Sequence, residues 1–122
     1  IRDGIPLGQF VPFYEPQVDL ASGRLLGFEL LARWEHPTRG LIGPEIFVPV
    51  AEESGLIADL SLAVMRQAFD EAKNWDASLS LSVNIAPAQL HDAWFAQKLL
   101  KLLVETGFPA ERLEIEITER AL

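Results

Sequence analysis

The sequence predicts an α/β fold in which a mainly parallel sheet is covered by helices. Segments with an apolar residue at every second position alternate with segments of helical periodicity, in the order strand, helix, strand, helix, strand. Strands joined through helices of this length are typical of right-handed βαβ units. In addition, three predicted strands each expose one polar group on a face that should be buried in a parallel sheet covered by helices, namely Glu29, Asn84 and Glu116.

The first third of the chain predicts a hairpin. Phe10 to Asp19 reads as a strand at a sheet edge, because its two prolines cannot donate to a central ladder. Ala21 to Gly23 is a predicted turn, and Arg24 to Trp34 is a strand that pairs back on the first or continues the sheet. We expect a loop from His36 to Gly40.

The next segments alternate helix and strand. A short helix from Pro49 to Ser54 is the simplest fit, since proline suits a first helical turn and Gly55 suits the position after a helix. Ala58 to Trp75 is the clearest helix, and Leu79 to Ala86 alternates as a strand. The apolar stripe of the clearest helix predicts core packing: Leu60, Val64, Met65, Ala68, Phe69 and Ala72.

The last segments repeat that order. Trp94 to Thr106 is a predicted amphipathic helix, with Asp92 as a plausible N-cap and a stop at Gly107. Leu113 to Thr118 is a predicted strand with one polar face, formed by glutamates and threonine. With no internal repeat or linker, we expect residues 1–122 to form a single domain.

Composition sets limits on the function. The 122 residues are 49% hydrophobic and 23% charged, as in a globular domain with one core. The net charge of −8 argues against non-specific binding to nucleic acid or an anionic membrane, although one small anionic ligand could still bind at a locally basic or metal-loaded site. Without cysteine, disulfides and thiolate zinc sites are excluded. No apolar run suggests a membrane span or signal peptide, so a cytoplasmic location is expected.

Glu29 is the most informative residue of the strand that runs through Trp34. At strand periodicity Glu29, Leu31 and Arg33 share one face, so an acid and a base lie together in an apolar run. A carboxylate in an apolar interior needs a cation. Two interpretations stay open on spacing alone, a buried Glu29–Arg33 ion pair and a metal site.

Glu29, Asn84 and Glu116 together suit a metal ion. Carboxylate and carboxamide oxygens are hard ligands that favour Mg²⁺, Mn²⁺ or Ca²⁺ over zinc. If the sheet closes into a barrel, these groups converge near its C-terminal mouth. His36 and His91 lie in predicted loops at no ligand spacing and are expected to be solvated.

Several motifs in order resemble those of the EAL domain family, the bacterial phosphodiesterases that open cyclic di-GMP. Residues 29–37 (Glu-Leu-Leu-Ala-Arg-Trp-Glu-His-Pro) resemble the signature that names the family, and residues 14–19 its Tyr-Gln-Pro strand. Residues 47–57 resemble the next block. Residues 82–84 (Ser-Val-Asn) and 114–119 (Glu-Ile-Glu-Ile-Thr-Glu) complete the match, which covers nearly the whole chain.

The resemblance implies a (β/α)8 TIM-barrel-like fold and metal-dependent hydrolysis of cyclic di-GMP to pGpG. It implies that Glu29, Asn84 and Glu116 are catalytic metal ligands for Mg²⁺ or Mn²⁺. It also implies that Arg33 contacts a substrate phosphate, with Leu31 and Glu15 as the other substrate-binding residues. Glu119 either serves the site or forms a structural ion pair, and we favour the ion pair.

The sequence departs from the family pattern at three points. Leu30 replaces the alanine of the signature, but it faces away from the ligands and should only repack. Glu15 replaces a glutamine near the ligand, and its charge could weaken binding of an anionic substrate or change base recognition. The motifs cover only the first half of the family's barrel, so we expect residues 1–122 to be the N-terminal portion of an EAL domain.

Three functions stay open from the sequence. The first is the phosphodiesterase, with doubtful activity for the 122 residues alone. The second is an inactive EAL domain that serves as a cyclic di-GMP receptor, and the third is a scaffold without ligand. Because half a barrel leaves open parallel edges, we also expect a homodimer or larger assembly.

Overall fold

A computed structural model describes all residues 1–122. Its first strands are β1 (Phe10–Val18), β2 (Leu25–His36) and β3 (Gly40–Ile42), followed by helices α1 (Pro44–Glu53) and α2 (Ile57–Ala72). The second part of the chain contains β4 (Ser80–Ile85), α3 (Pro87–Leu90), α4 (Ala93–Thr106), a 3-10 turn (Ala110–Arg112) and β5 (Leu113–Ile117).

The five strands form one sheet in the order β1-β2-β4-β5, with β3 on β2. β1 and β3 are antiparallel to β2, whereas β2, β4 and β5 are mutually parallel. The hairpin, the edge position of β1 and the two βαβ crossovers predicted from the sequence are therefore confirmed. β5 pairs with β4 alone and forms the other edge of the sheet.

The core lies between one face of the sheet and the helices. The stripe of α2 is fully buried, as predicted, and it meets side chains from β2 and β4 such as Leu30, Ala32, Leu81 and Val83. Four phenylalanines complete this layer: Phe10, Phe47, Phe69 and Phe95. Every helix is too short or too polar to span a lipid bilayer.

Helix α4 begins and ends as its sequence predicts. The Asp92 carboxylate accepts a hydrogen bond from the backbone N–H of Trp94 at 2.9 Å. Gly107 ends the helix in the left-handed conformation, at φ 77°, which glycine adopts without a steric cost.

The predicted start of α1 is wrong. The helix begins at Pro44 rather than Pro49, so Pro49 lies inside it and cannot donate to the carbonyl of Glu45. Glu45 is exposed, which leaves its carbonyl near solvent. Burial of Phe47, Val48 and Ala51 against the core outweighs the lost hydrogen bond.

The predicted loop at His36 to Gly40 is shorter than expected, and His36 is not simply solvated. His36 ends β2 and pairs with Gly40, the first residue of β3. Its Nδ1 atom accepts hydrogen bonds from the backbone N–H groups of Thr38 (3.2 Å) and Arg39 (3.1 Å). The imidazole therefore organises the turn that leads into β3. His91 is exposed, as predicted.

Candidate functional site

The side of the sheet opposite the helices carries a row of polar residues, here called the polar face. Strand register aligns Glu29 with Ser82, and Asn84 with Glu116, so side chains from β2, β4 and β5 project to this side. Leu30 and Ala32, one position out of phase, are fully buried on the helical side. The face assignment made from strand parity is thus confirmed.

Glu29 and Asn84 are in direct contact. The Asn84 Nδ2 atom donates a hydrogen bond to Glu29 Oε1 at 2.9 Å. Glu116 lies beside Asn84 on the next strand, and all three residues are half-buried. Asn84 and Glu116 are each the second-last residue of their strand, so the group lies near the C-terminal ends of the parallel strands.

The alternative of a Glu29–Arg33 ion pair is wrong. The Arg33 Nη1 atom donates to the carbonyl of Ala32 at 2.9 Å, and the guanidinium lies over the Phe13 ring, 5.7 Å from its centroid. The ion pairs of the chain are all elsewhere, at Arg66–Glu105, Lys73–Asp70 and Arg120–Glu52. The charge of Arg33 is therefore not neutralised by a carboxylate.

The other predicted site residues lie around this pair. Glu15 is aligned with Glu29 on β1 and is exposed, while Leu31 is half-buried and aligned with Phe13. Glu119 is exposed and forms no ion pair, so the structural ion pair favoured from the sequence is absent.

Three further polar residues on this face, Gln17, Ser82 and Glu114, are not among the site residues predicted from the sequence. The buried Ser82 hydroxyl lies 3.1 Å from Gln17 Oε1 and 3.2 Å from Glu114 Oε2. Its single proton can satisfy one of these acceptors at a time. Gln17 reaches across β2 at Gly27, its aligned partner, which has no side chain. Ser82 and Glu114 each lie two residues before Asn84 and Glu116, so strand periodicity places them on the same face. This periodicity in the sequence is the signal that predicts their position.

The polar face is electrostatically suited to a cation. Four carboxylates project from it, those of Glu15, Glu29, Glu114 and Glu116, against the one guanidinium of Arg33. No group of three or more His, Cys, Asp or Glu side chains could hold a metal ion. Two carboxylates and one carboxamide supply three oxygen donors, which fits part of an octahedral Mg²⁺ shell, since such ions usually keep several waters.

Comparisons with known proteins agree on one family. A family model described as EAL domain matches residues 1–122. An uncharacterized signaling protein of Caulobacter vibrioides is 44% identical over all of this chain, which spans 15% of that protein. The cyclic di-GMP phosphodiesterase PA2567 of Pseudomonas aeruginosa is 36% identical over 112 residues, which are 89% of this chain and 19% of that protein.

Solved structures give the same result. The PaMucR phosphodiesterase, in a complex with c-di-GMP, superposes with a TM-score of 0.89 at 32% identity, covering 97% of this chain and 49% of that chain. An EAL domain protein from Listeria monocytogenes superposes with a TM-score of 0.82 at 25% identity, covering 97% and 47%. The chain thus spans about half the length of these two solved relatives.

Proposed function

The chain belongs to the EAL domain family, and from this membership and the polar face we propose that it forms the N-terminal portion of a cyclic di-GMP phosphodiesterase domain. The observation that carries the proposal is the Glu29–Asn84 contact at 2.9 Å, with Glu116 on the neighbouring strand. The phosphodiesterase name of one relative and the c-di-GMP complex of another support the substrate.

Glu29, Asn84 and Glu116 would hold one or two Mg²⁺ or Mn²⁺ ions. When bound, such an ion supplies an activated water and neutralises charge on phosphoryl oxygens. The Asn84 contact fixes the carboxylate of Glu29, and its Nδ2 donation leaves the amide oxygen as the group available to a cation.

Arg33 would bind a phosphate of the dinucleotide. Its guanidinium is unpaired with acids, and its planar array of donors matches phosphate oxygens. Leu31 and Glu15 would contact the rest of the substrate, because they lie on the same face as Glu29. Addition of one water to a phosphodiester bond, with departure of the ribose oxygen, would yield pGpG.

The proposal also covers the complete fold, the cellular location and the assembly to which these residues belong. They would form the first half of a (β/α)8 barrel in the bacterial cytoplasm, in agreement with the 49% coverage of the solved relative. Self-association of residues 1–122, when they are studied alone, is also part of the proposal, because β5 then pairs only with β4, and its Ile115 and Ile117 are 42% and 64% exposed.

Turnover of cyclic di-GMP with Mg²⁺ or Mn²⁺ tests this function. We expect a longer form that carries a complete barrel to release pGpG, detected by chromatography, and residues 1–122 alone to release none. Calorimetry on the longer form separates the receptor alternative. Tight binding of cyclic di-GMP without any pGpG would show that the domain is a receptor and would contradict the proposal.

A further inference from the structure

A groove between α2 and α4 opens on the helical side of the molecule, away from the polar face. It has a volume of about 260 Å³. Its walls carry Arg66, Lys98, Lys101 and Glu105, and its floor includes Leu62 and Leu102. Three cations therefore face one carboxylate here, in a chain whose net charge is −8 and which has ten lysines and arginines in all.

The lysines of this α2–α4 groove are exposed and unpaired. Arg66 pairs with Glu105 at 3.1 Å, but neither Lys98 nor Lys101 takes part in an ion pair. Trp94 lies on the same side of α4 as both lysines, by its spacing of four and seven residues, and is 73% exposed. The groove thus combines positive charge with apolar surface, which suits an acidic and aliphatic occupant.

Helix α1 carries a surface of that chemistry, here called the α1 stripe. Ile46, Val50 and Glu53 are spaced at four and three residues and are all exposed, and Glu45 lies beside them in the first turn. The exposed fractions of Ile46 and Val50 are 62% and 49%. The helix has three glutamates and no basic residue.

The stripe cannot fill the groove of its own chain. Phe47, Val48 and Ala51 hold the opposite face of α1 in the core, so the helix is fixed with its stripe directed outward. We propose that the α1 stripe of one copy docks in the α2–α4 groove of a second copy. A reciprocal pair of such contacts closes as a two-fold dimer, while a single contact leaves a stripe and a groove free for further copies.

Two charge-reversal variants test this contact. The groove variant is Lys98→Glu with Lys101→Glu, and the stripe variant is Glu45→Lys with Glu53→Lys. We expect the wild-type chain to self-associate in sedimentation equilibrium, more weakly at high salt because the contact is partly ionic. Each variant alone should raise the dissociation constant at least about tenfold, because it places like charges in both contacts of the pair.

An equimolar mixture of the two variants should associate again, with a dissociation constant within about threefold of wild type. In the mixed pair, lysine stripes meet glutamate grooves and glutamate stripes meet lysine grooves. Matched controls reverse charges elsewhere on the surface, Arg24→Glu with Arg39→Glu and Asp3→Lys with Glu111→Lys, and should associate as wild type does. Thermal melting checks that each variant is folded.

Three results would overturn the proposal. They are a wild-type chain that stays monomeric at every concentration, a dissociation constant that neither variant changes, and a mixture that remains monomeric. The second result would assign self-association to another surface, such as the β5 edge. None of the altered residues lies on the polar face, so failure of this contact and failure of the phosphodiesterase activity are independent observations.

Discussion

At the scale of single residues, the charge and order of the polar face depend on which group donates a hydrogen bond to each carboxylate. Glu29 accepts from Asn84, and Glu114 lies within reach of the Ser82 hydroxyl, so two of the four carboxylates have a neutral donor beside them. Neutral donors hold a carboxylate in place without cancelling its charge. The arrangement therefore leaves the face negative and ordered, which a divalent cation requires of its ligands.

On the helical side of the sheet, Tyr14 has a polar group without a hydrogen-bond partner. Its hydroxyl is buried without a hydrogen-bond partner, in an aromatic cluster with Phe28 and Trp75. Burial, and then the nearby Glu71 carboxylate, raise the pKa of Tyr14 above its ordinary value. Tyr14→Phe removes an unsatisfied polar group, so we expect it to stabilise the fold by about 1 kcal/mol at pH 7 in urea denaturation.

The pH dependence of that variant follows from the raised pKa. Above about pH 10 the unfolded tyrosine ionises while the folded one stays protonated, so wild-type stability falls as the pH rises further. We expect the advantage of Tyr14→Phe to grow above pH 10. An advantage that is the same at pH 7 and pH 11 would contradict the burial of this hydroxyl.

Asp76 contributes stability through local hydrogen bonds. The backbone N–H and the hydroxyl of Ser78 donate to its carboxylate at 2.9 and 2.7 Å, and they lower the pKa of Asp76 below its ordinary value of 3.8. The stabilisation is therefore present above that value and is lost as the pH falls through the lower folded pKa. Asp76→Asn should lower the urea midpoint at pH 7, and the difference from wild type should shrink as the pH falls below 3.8, whereas Asp3→Asn should have no effect at pH 7.

At the scale of elements, the α4 cap is a clean test of helix stability. Asp92→Ala removes the acceptor for the N–H of Trp94 and should cost about 1 kcal/mol in urea denaturation. Asp92→Asn keeps a side-chain oxygen at the cap and should retain most of the stability. Equal losses in the two variants would mean that the cap hydrogen bond does not stabilise α4.

The pairing of β2 with β4 depends on Gly27. A Cβ atom there would overlap the backbone and the hydroxyl of Ser80, its aligned partner. Gly27→Ala should therefore destabilise the fold by roughly 1–3 kcal/mol, since the two strands must separate locally. Because the closest atom is a backbone oxygen, adding Ser80→Gly should not restore stability. Full recovery in the double variant would show that the side chain alone causes the conflict.

The sequence predicts an element best where apolar residues recur in it at a regular spacing. Helices α2 and α4 and strand β4 follow an apolar repeat that matches their buried residues, and β5 follows a strand repeat although its Ile115 and Ile117 are exposed. Strand β3 has three residues and no repeat, because it is defined by its pairing with β2. The sequence does not locate the start of α1, because Pro44 and Pro49 both suit a first helical turn and only the core contacts of the helix distinguish them.

For the candidate site, the sequence predicts which residues share a face but not which of them are in contact. Strand parity groups Glu29, Asn84 and Glu116 on one face, but it cannot say which side chains touch. The partner of Glu29 is Asn84 rather than Arg33, because β4 lies beside β2 and the Arg33 guanidinium turns toward Phe13 and a backbone carbonyl. The Gln17–Ser82 contact spans three strands and depends on the sheet order β1-β2-β4, which no local pattern contains.

At the scale of the whole molecule, the two sides of the sheet have different roles. The helical side holds the buried core and, on its outer surface, the α2–α4 groove. The polar face is half-buried and carries the acids together with Arg33. A chain of net charge −8 would repel an anionic dinucleotide unless cations bind there first, so we expect substrate affinity to depend steeply on the divalent ion.

The proposed hydrolysis of cyclic di-GMP at the polar face can be tested by comparing Glu29→Gln with Glu111→Gln. Both substitutions replace a carboxylate with an amide, but Glu111 is exposed and lies before β5. The measurement is pGpG release with Mn²⁺ by a form that carries a complete barrel. We predict that Glu29→Gln lowers turnover more than about 100-fold, since loss of an outer partner of a metal ligand alone costs 10–100-fold, while Glu111→Gln leaves it unchanged. Equal turnover in the two variants would exclude Glu29 from the catalytic site.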